Sequence, residues 1–312
     1  MRAKGLLAVL SSGAILAFTA LLAPFALAQN PAQVAILKWY GANQTTGISI
    51  DGPLEGVAFD GSNIWVSDQG RTVTKVDPST GQVLGAFQVG QTPFGLAFDG
   101  ANIWVANFGD NTVTRLRASD GTNLGTFNTG IGPQGVAFDG VNIWVTNLTS
   151  NSVTKIRASD GVVLGNFDVG NGPDGIAFDG NNIWVANFRG NSVTKLSPNG
   201  QTLLTVSNIF GASSLAFDGT SMWVTSTSSS VAYKLSLDGS SRSSYLVGKG
   251  PMGIAFDGSN MWVVGHTSQT ITKLRASDGA QLGTFKVGVR PFGAAFDGAN
   301  IWVACEGELR KL

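Results

Sequence analysis

The chain has one cysteine and one histidine in 312 residues. A lone Cys305 allows no internal disulfide, so the fold must be held by packing. A lone His266 has no histidine or cysteine partner, which argues against the usual zinc ligand sets. Only 13% of the residues are charged, and 20 basic side chains balance 20 acidic ones. Such a balance gives no polyanion-binding surface, so a nucleic-acid partner is not expected. There is no nucleophile elbow, no phosphate-binding loop, no metal-spaced His/Cys cluster and no Ser-His-Asp arrangement that stands out. No metal site and no cofactor are therefore expected.

Glycine, by contrast, is abundant at 42 residues, which favours strands and turns over helices. The N-terminus has a different character. Arg2 and Lys4 precede an apolar run that ends at Ala26-Leu27-Ala28. That pattern predicts a secretory signal peptide over residues 1–28 and an exported, periplasmic or extracellular protein. An uncleaved anchor is the competing reading, because the apolar stretch is long. After cleavage no membrane span remains, and 18 basic residues stand against 20 acidic ones. Residues 29–44 contain Asn30-Pro31, an N-cap followed by proline at the first helical position. A short helical lead-in over Pro31–Tyr40 is expected there.

The tripeptide Phe-Asp-Gly begins at Phe59, Phe98, Phe138, Phe178, Phe217, Phe256 and Phe296, at spacings of 39 or 40 residues. A tryptophan follows each at a near-fixed offset, from Trp65 to Trp302. One unit, 135–172, reads as four strands. A short apolar run meets a tight turn at Asp139-Gly140. Ile143–Thr146 is apolar on both faces. Ser152–Ile156 alternates and is more polar, and a second turn at Asp160-Gly161 leads to Val163–Val169. Four antiparallel strands per 40 residues is the signature of a propeller blade. A solenoid is the alternative, but it needs polar capping repeats that the terminal units lack.

The fold class predicted is all-β: a seven-bladed β-propeller of four-stranded antiparallel blades over residues 45–312. The seventh unit has strands at 293–296, 301–304 and 309–312 but no fourth. The stretch 47–61 aligns without a gap to 284–298, which gives Thr46–Ile50 the place of an unattached fourth strand. The ring is expected to close by that N-terminal strand completing the last blade, which also covers strand edges.

The tetrapeptides WVAN (104–107), WVTN (144–147) and WVAN (184–187) resemble the YVTN-type repeat of exported bacterial propellers. The whole unit, with its G-P-x-G start, resembles the virginiamycin B lyase-like seven-bladed propellers. That resemblance implies fold strongly and function weakly. It also implies elimination on a cyclic depsipeptide antibiotic, with a divalent metal and a histidine base. The matching histidine positions here are Met252 in GPMG and Phe292 in RPFG, and an acidic position matches Arg290. Glu306 alone has a counterpart, so the resemblance argues against that activity.

Near-identical units make a near-symmetric ring, so a specific site must lie where the repeat departs from itself. The residue between Pro and Gly at the unit start should rim the channel: Glu55, Phe94, Gln134, Asp174, Ser213, Met252 and Phe292. Polar Glu55, Gln134 and Asp174 are read as lying together and facing apolar residues, an amphipathic mouth. Drift of solvent-facing loop positions is the alternative. At the end of the second strand, Asn107, Asn147 and Asn187 are expected to bond loop backbone. Phe108, Leu148 and Phe188 then form an apolar patch on the same face. His266 and Glu306, in adjacent units, are the candidates for catalysis. Cys305 reads as core, the Asp of each Phe-Asp-Gly as a turn residue, and the Lys or Arg of each third strand as rim solvation or pairing with turn aspartates.

These readings lead to a monomeric, non-enzymatic propeller that binds a protein, peptide or glycan at the channel-mouth face. A metal-assisted lyase or hydrolase using His266, Glu306 or Glu55 is the second hypothesis, and a structural surface-layer role the third.

Overall fold

A computed structural model describes residues 46–312, so the expected signal peptide and helical lead-in lie outside the described residues. The chain from 46 onward is all strand and turn, an antiparallel β-propeller. Five sheets have four strands each. In each, the strand after Phe-Asp-Gly is almost wholly buried, as in Ile183–Asn187, while the fourth strand alternates between exposed and half-buried. Second strands are sandwiched between neighbouring sheets, which is why Ile-Trp-Val is apolar on both faces. Fourth strands lie at the rim, where one face meets water.

The predicted seven separate blades are corrected to six hydrogen-bonded sheets, because the sixth sheet has six strands. Its order is Ala294–Phe296, Ile301–Lys311, Thr46–Phe59, Ile64–Asp68, Thr72–Val76 and Val83–Gln88. Two features merge what the repeat pattern separates. Thr46–Phe59 is one unbroken strand that pairs with Ile301–Lys311 at its start and with Ile64–Asp68 at its end. Its first residues pair as Thr46 with Lys311 and Ile48 with Leu309. Ile301–Lys311, read from sequence as two strands, is one element that doubles back. Ile301 and Leu312 exchange backbone hydrogen bonds of 3.1 and 2.9 Å across a bend at Gly307, whose φ is 75°.

Each Phe-Asp-Gly builds the same device. In the third unit, Asp139 Oδ1 accepts hydrogen bonds from the backbone N–H groups of Val141 and Asn142, closing the turn. Its Oδ2 accepts from the Trp144 indole at 2.7 Å. Each of the seven tryptophans that follow a Phe-Asp-Gly makes this bond to the aspartate five residues before it, from Asp60–Trp65 to Asp297–Trp302. A buried indole N–H needs an acceptor, and the turn places one at a fixed offset.

The third-strand cations do more than solvate the rim. Lys155 Nζ lies 4.9 Å from the centre of the Trp144 ring and donates to Pro198 O of the next unit. Lys75 reaches Ala118 O, Arg115 reaches Ala158 O and Lys195 reaches Leu237 O in the same way. Lys75 is buried, with 7% of its surface exposed, which corrects the rim solvation, while Lys195, Lys234 and Lys273 do pair with the turn aspartates Asp179, Asp218 and Asp257. Lys75, Arg115, Lys155 and Lys195 thus tie one sheet to the next. Lys311 makes the same kind of bond within the six-stranded sheet, to Pro78 O near the other end of the chain.

Candidate functional site

The propeller axis is built from glycine. A methyl group on Gly95 would strike Gln134 O, one on Gly135 would strike Asp174 O, and one on Gly175 would strike Ser213 O. Gly253 stands against Phe292 O and Gly293 against Glu55 O. First strands can approach this closely only without a Cβ. Consecutive units therefore follow one another around the channel, and the residue before each glycine points its side chain to the axis. All seven predicted rim positions line this channel.

Second-strand hydroxyls fix three of these positions. Ser67 Oγ donates to Phe94 O, Thr146 Oγ1 to Asp174 O and Thr225 Oγ1 to Met252 O. The same hydroxyls accept from the N–H groups of Gly56, Gly135 and Ser214. Sequence reading missed them, although the alternation of Ser or Thr with Ala at that position was the available signal.

Above the channel a mouth of about 380 Å³ opens on the face carrying the inter-unit loops. Six of the seven rim residues reach it: Glu55, Phe94, Gln134, Asp174, Met252 and Phe292. Ser213 stays below, with its hydroxyl donating to Asp174 Oδ2 at 2.7 Å. The grouping expected from sequence is corrected here. Glu55 does not lie beside Gln134, because the unit of Phe94 stands between them and that of Phe292 on the other side. The carboxyl is thus set between two phenylalanine-bearing units.

Glu55 is the most unusual group in the mouth. It is 4% exposed. Gln69 donates its side-chain amide to Oε1, and the buried Oε2 has no hydrogen-bond partner among the described residues. Burial pushes its pKa from 4.5 up to about 7, against the smaller opposing effects of the Gln69 hydrogen bond and the Arg290 charge. Asp174 is raised from 3.8 to about 6, again by burial, with the Ser213 hydrogen bond opposing.

The loops after the second strands complete the lip. Gln69, Leu148, Phe188, His266 and Glu306 line the mouth, with Arg189 and Arg290 beside them. Phe108 is not part of the lining; it packs edge-on against Phe94 at 5.6 Å. His266 Nδ1 lies 3.1 Å from Pro291 O, and its ring meets Phe292 edge-on at 6.1 Å. Arg189 was missed in the sequence, though it is a basic residue where other units carry Gly, Ser or Thr.

Other candidates fall away from the mouth. Asn107 accepts from Gly90 N–H and donates to the Thr112 and Thr114 hydroxyls, whereas for Asn147 and Asn187 only the bonds to third-strand hydroxyls are present, Ser152 and Thr154 in one and Ser192 and Thr194 in the other. That corrects the loop-backbone role for those two. Cys305 is fully buried, and burial pushes its thiol up to about 12. It is a packing residue of the core. Among the described residues no three of His, Cys, Asp and Glu converge to hold a metal ion, and no helix is long and apolar enough to cross a membrane.

No family model matches the chain, and no curated protein matches it. Solved structures do resemble it. A streptogramin B lyase superposes with a TM-score of 0.75 at 19% identity, covering 86% of this chain and 96% of its own. Virginiamycin B lyase from Staphylococcus aureus gives 0.74 at 16%, covering 86% and 98%. Hydrazine synthase from Kuenenia stuttgartiensis gives 0.73 at 17%, also covering 86% and 98%. At such identities the similarity is one of fold.

Proposed function

We propose that the protein is an exported, non-enzymatic propeller that binds a peptide, protein segment or glycan in the channel mouth. The observation that carries this reading is Glu55: a buried carboxyl with one oxygen unpartnered, on a residue that lines a concave space together with Phe94, Met252 and Phe292. Burying a polar atom without a partner costs stability. A binding site tolerates that cost because the ligand supplies the missing partner. The expected asymmetry between units is concentrated at this place, as a specific site in a repetitive ring requires.

Ring closure belongs to the same reading. The six-stranded sheet is taken as two blades joined through Thr46–Phe59, giving seven units around the axis. Two contacts support this. Ile48 packs on Gly81 as Phe127 packs on Gly161 between consecutive units, and Lys311 bonds Pro78 O as Lys155 bonds Pro198 O. A closed ring holds the seven rim residues at fixed distances and pre-forms the mouth.

The test is a thermal-shift screen of peptides and oligosaccharides against the purified chain, repeated on Phe292→Ser. A ligand that raises the melting temperature of the parent and not of the variant supports the reading. Ligands that shift both equally would remove the mouth as the site.

A second reading is a lyase or hydrolase, in line with the two lyases of similar fold. His266 and Glu306 both line the mouth, which favours it. Against it stand Met252 and Phe292 at the positions the resemblance gives to histidine. Turnover of a depsipeptide or ester that is lost in both His266→Gln and Glu306→Ala would replace binding with catalysis.

A further inference from the structure

The unpartnered Glu55 oxygen also says which chemistry the mouth takes. Glu55 and Asp174 line one cavity, and the Asp174 charge adds to the cost of ionising Glu55. Glu55 Oε1 is already taken by Gln69, and Asp174 Oδ2 by Ser213. Oε2 of Glu55 remains as an acceptor with no donor. An incoming anion would meet two carboxyl groups. A neutral hydroxyl brings one donor and no charge. An ammonium group brings three donors and the charge that both carboxylates lack. The apolar wall of Phe94, Met252 and Phe292 adds aromatic faces that attract a cation and cover an apolar body.

At Glu55 the Arg290 charge favours the carboxylate by more than the Asp174 charge opposes it, which leaves an anion for the ammonium to meet. Arg189 and Arg290 are exposed at the lip, where solvent screens them, whereas Glu55 is buried below. Glu306 is also exposed at the lip, and His266 is half-buried beside Phe292.

We propose that the channel mouth is a site for a primary ammonium group carried on an apolar body, the ammonium held by Glu55 and Asp174 and the body laid against Phe94, Met252 and Phe292. This rests on the mouth being a binding site at all. Peptide N-termini, lysine-like side chains and aryl-alkyl amines share the chemistry. Affinity should rise with pH through the range in which the two carboxyls ionise, since only their anions pair with the ligand. A protonated His266 would repel the same ligand and act in the same direction, so it must be tested separately.

The experiment uses the purified full chain and three probes of one shape: benzylamine, benzyl alcohol and benzoate. Binding is measured by titration calorimetry at pH 5 and pH 8. Benzylamine is expected to bind more tightly at pH 8 by roughly tenfold, to outbind both analogues, and to lose about as much in Glu55→Gln at pH 8. Asp174→Asn should weaken it as well, and His266→Gln should leave the pH dependence in place. Matched melting temperatures at pH 5 show that the variants fold. Benzyl alcohol or benzoate binding as tightly as benzylamine would overturn the proposal while leaving the mouth a binding site. So would a Glu55→Gln protein that binds benzylamine unchanged. Failure of all three probes at millimolar concentration overturns it too, and the peptide and oligosaccharide screen then decides whether the mouth binds anything.

Discussion

Gln69 donates its side-chain amide to one oxygen of Glu55 and leaves the other buried with no partner. The two residues come from different parts of one unit: Glu55 from the channel strand and Gln69 from the loop after the second strand. Their pairing holds a carboxyl where solvent cannot reach it, and that has a measurable consequence for stability.

The folded pKa of Glu55 is about 7, against an ordinary value of 4.5. Between those pH values the folded protein holds a proton that the unfolded chain releases. Rising pH therefore favours unfolding, and the contribution of Glu55 falls by about 3 kcal/mol across that window. Glutamine keeps an acceptor for Gln69 and carries no charge. Glu55→Gln is expected to melt close to the parent at pH 4.5 and above it at pH 8, as seen by calorimetry. The turn aspartates work in the opposite direction. Asp139, Asp179, Asp218, Asp257 and Asp297 have lowered pKa values, held down by the indole and turn N–H hydrogen bonds against burial. Their stabilisation is lost as the pH falls through those lowered values. A Glu55→Gln protein that tracks the parent at every pH would contradict the burial argument.

The indole–carboxylate bond makes its own prediction. Asp179 is 4% exposed, accepts from Trp184 at 2.7 Å and lies 3.5 Å from Lys195. Asp179→Ala strips a buried indole N–H of its acceptor and leaves the Lys195 ammonium with Leu237 O but no counter-charge, and should cost about 3 kcal/mol. Trp184→Tyr, which keeps an aromatic ring but moves the polar atom, should cost through packing instead. Denaturant melts separate the two. Unchanged stability in Asp179→Ala would mean the bond is decorative.

Much of the fold could be read from the repeat, because Phe-Asp-Gly and the tryptophan after it recur at fixed intervals and each local choice agrees with a blade. The spacing of five residues between Asp139 and Trp144 even contained the indole bond, though only the turn geometry shows that the two side chains meet. The sheet count was not legible. It depends on whether Ile48–Leu54 and Cys305–Leu309 keep their hydrogen-bonded ladders through Gly52 and Gly307, which are both at positive φ, and residue identity does not decide that. The site was legible as positions and not as interactions. Glu55 and Asp174 stood out as departures from the repeat. The partner Gln69, the missing partner of Oε2 and the separation of Glu55 from Gln134 by Phe94 all need the third dimension.

The second hairpin turn carries a further dependence. Gly161 has φ of 79°, and a methyl there would run into the Phe127 ring of the preceding unit. Gly121 meets Phe87 and Gly200 meets Phe167 in the same way. Gly161→Ala combines a left-handed backbone, at about 1–2 kcal/mol, with overpacking of about 1–3 kcal/mol. A Phe127→Leu background should relieve the second component and not the first. The double-mutant cycle is expected to show favourable coupling. Strict additivity would indicate that strain in the backbone alone sets the cost.

The proposed closure stands or falls on residues 46–50. In the folded chain Thr46 to Ser49 pair with Lys311 to Glu308, and Ile50 packs in one cluster with Leu54, Trp302 and Leu309. Removing residues 46–50 takes away that ladder and leaves Leu309 and one face of Trp302 without cover. It also loosens the strand on which Glu55 lies five residues further on. The deletion is therefore expected to lower the melting temperature, to open the segment from Glu306 onward to proteolysis first, and to weaken any ligand bound at the mouth. Lys311→Ala tests the same junction more gently. It removes the bond to Pro78 O and the contact with the Trp302 ring, where Nζ lies 5.3 Å from the centre. A side chain that ties two neighbouring units should cost as much here as its equivalent Lys155 does within the ring, about 1–2 kcal/mol. If Lys155→Ala destabilises the protein and Lys311→Ala does not, the chain ends are not joined in solution and the mouth is not pre-formed by closure.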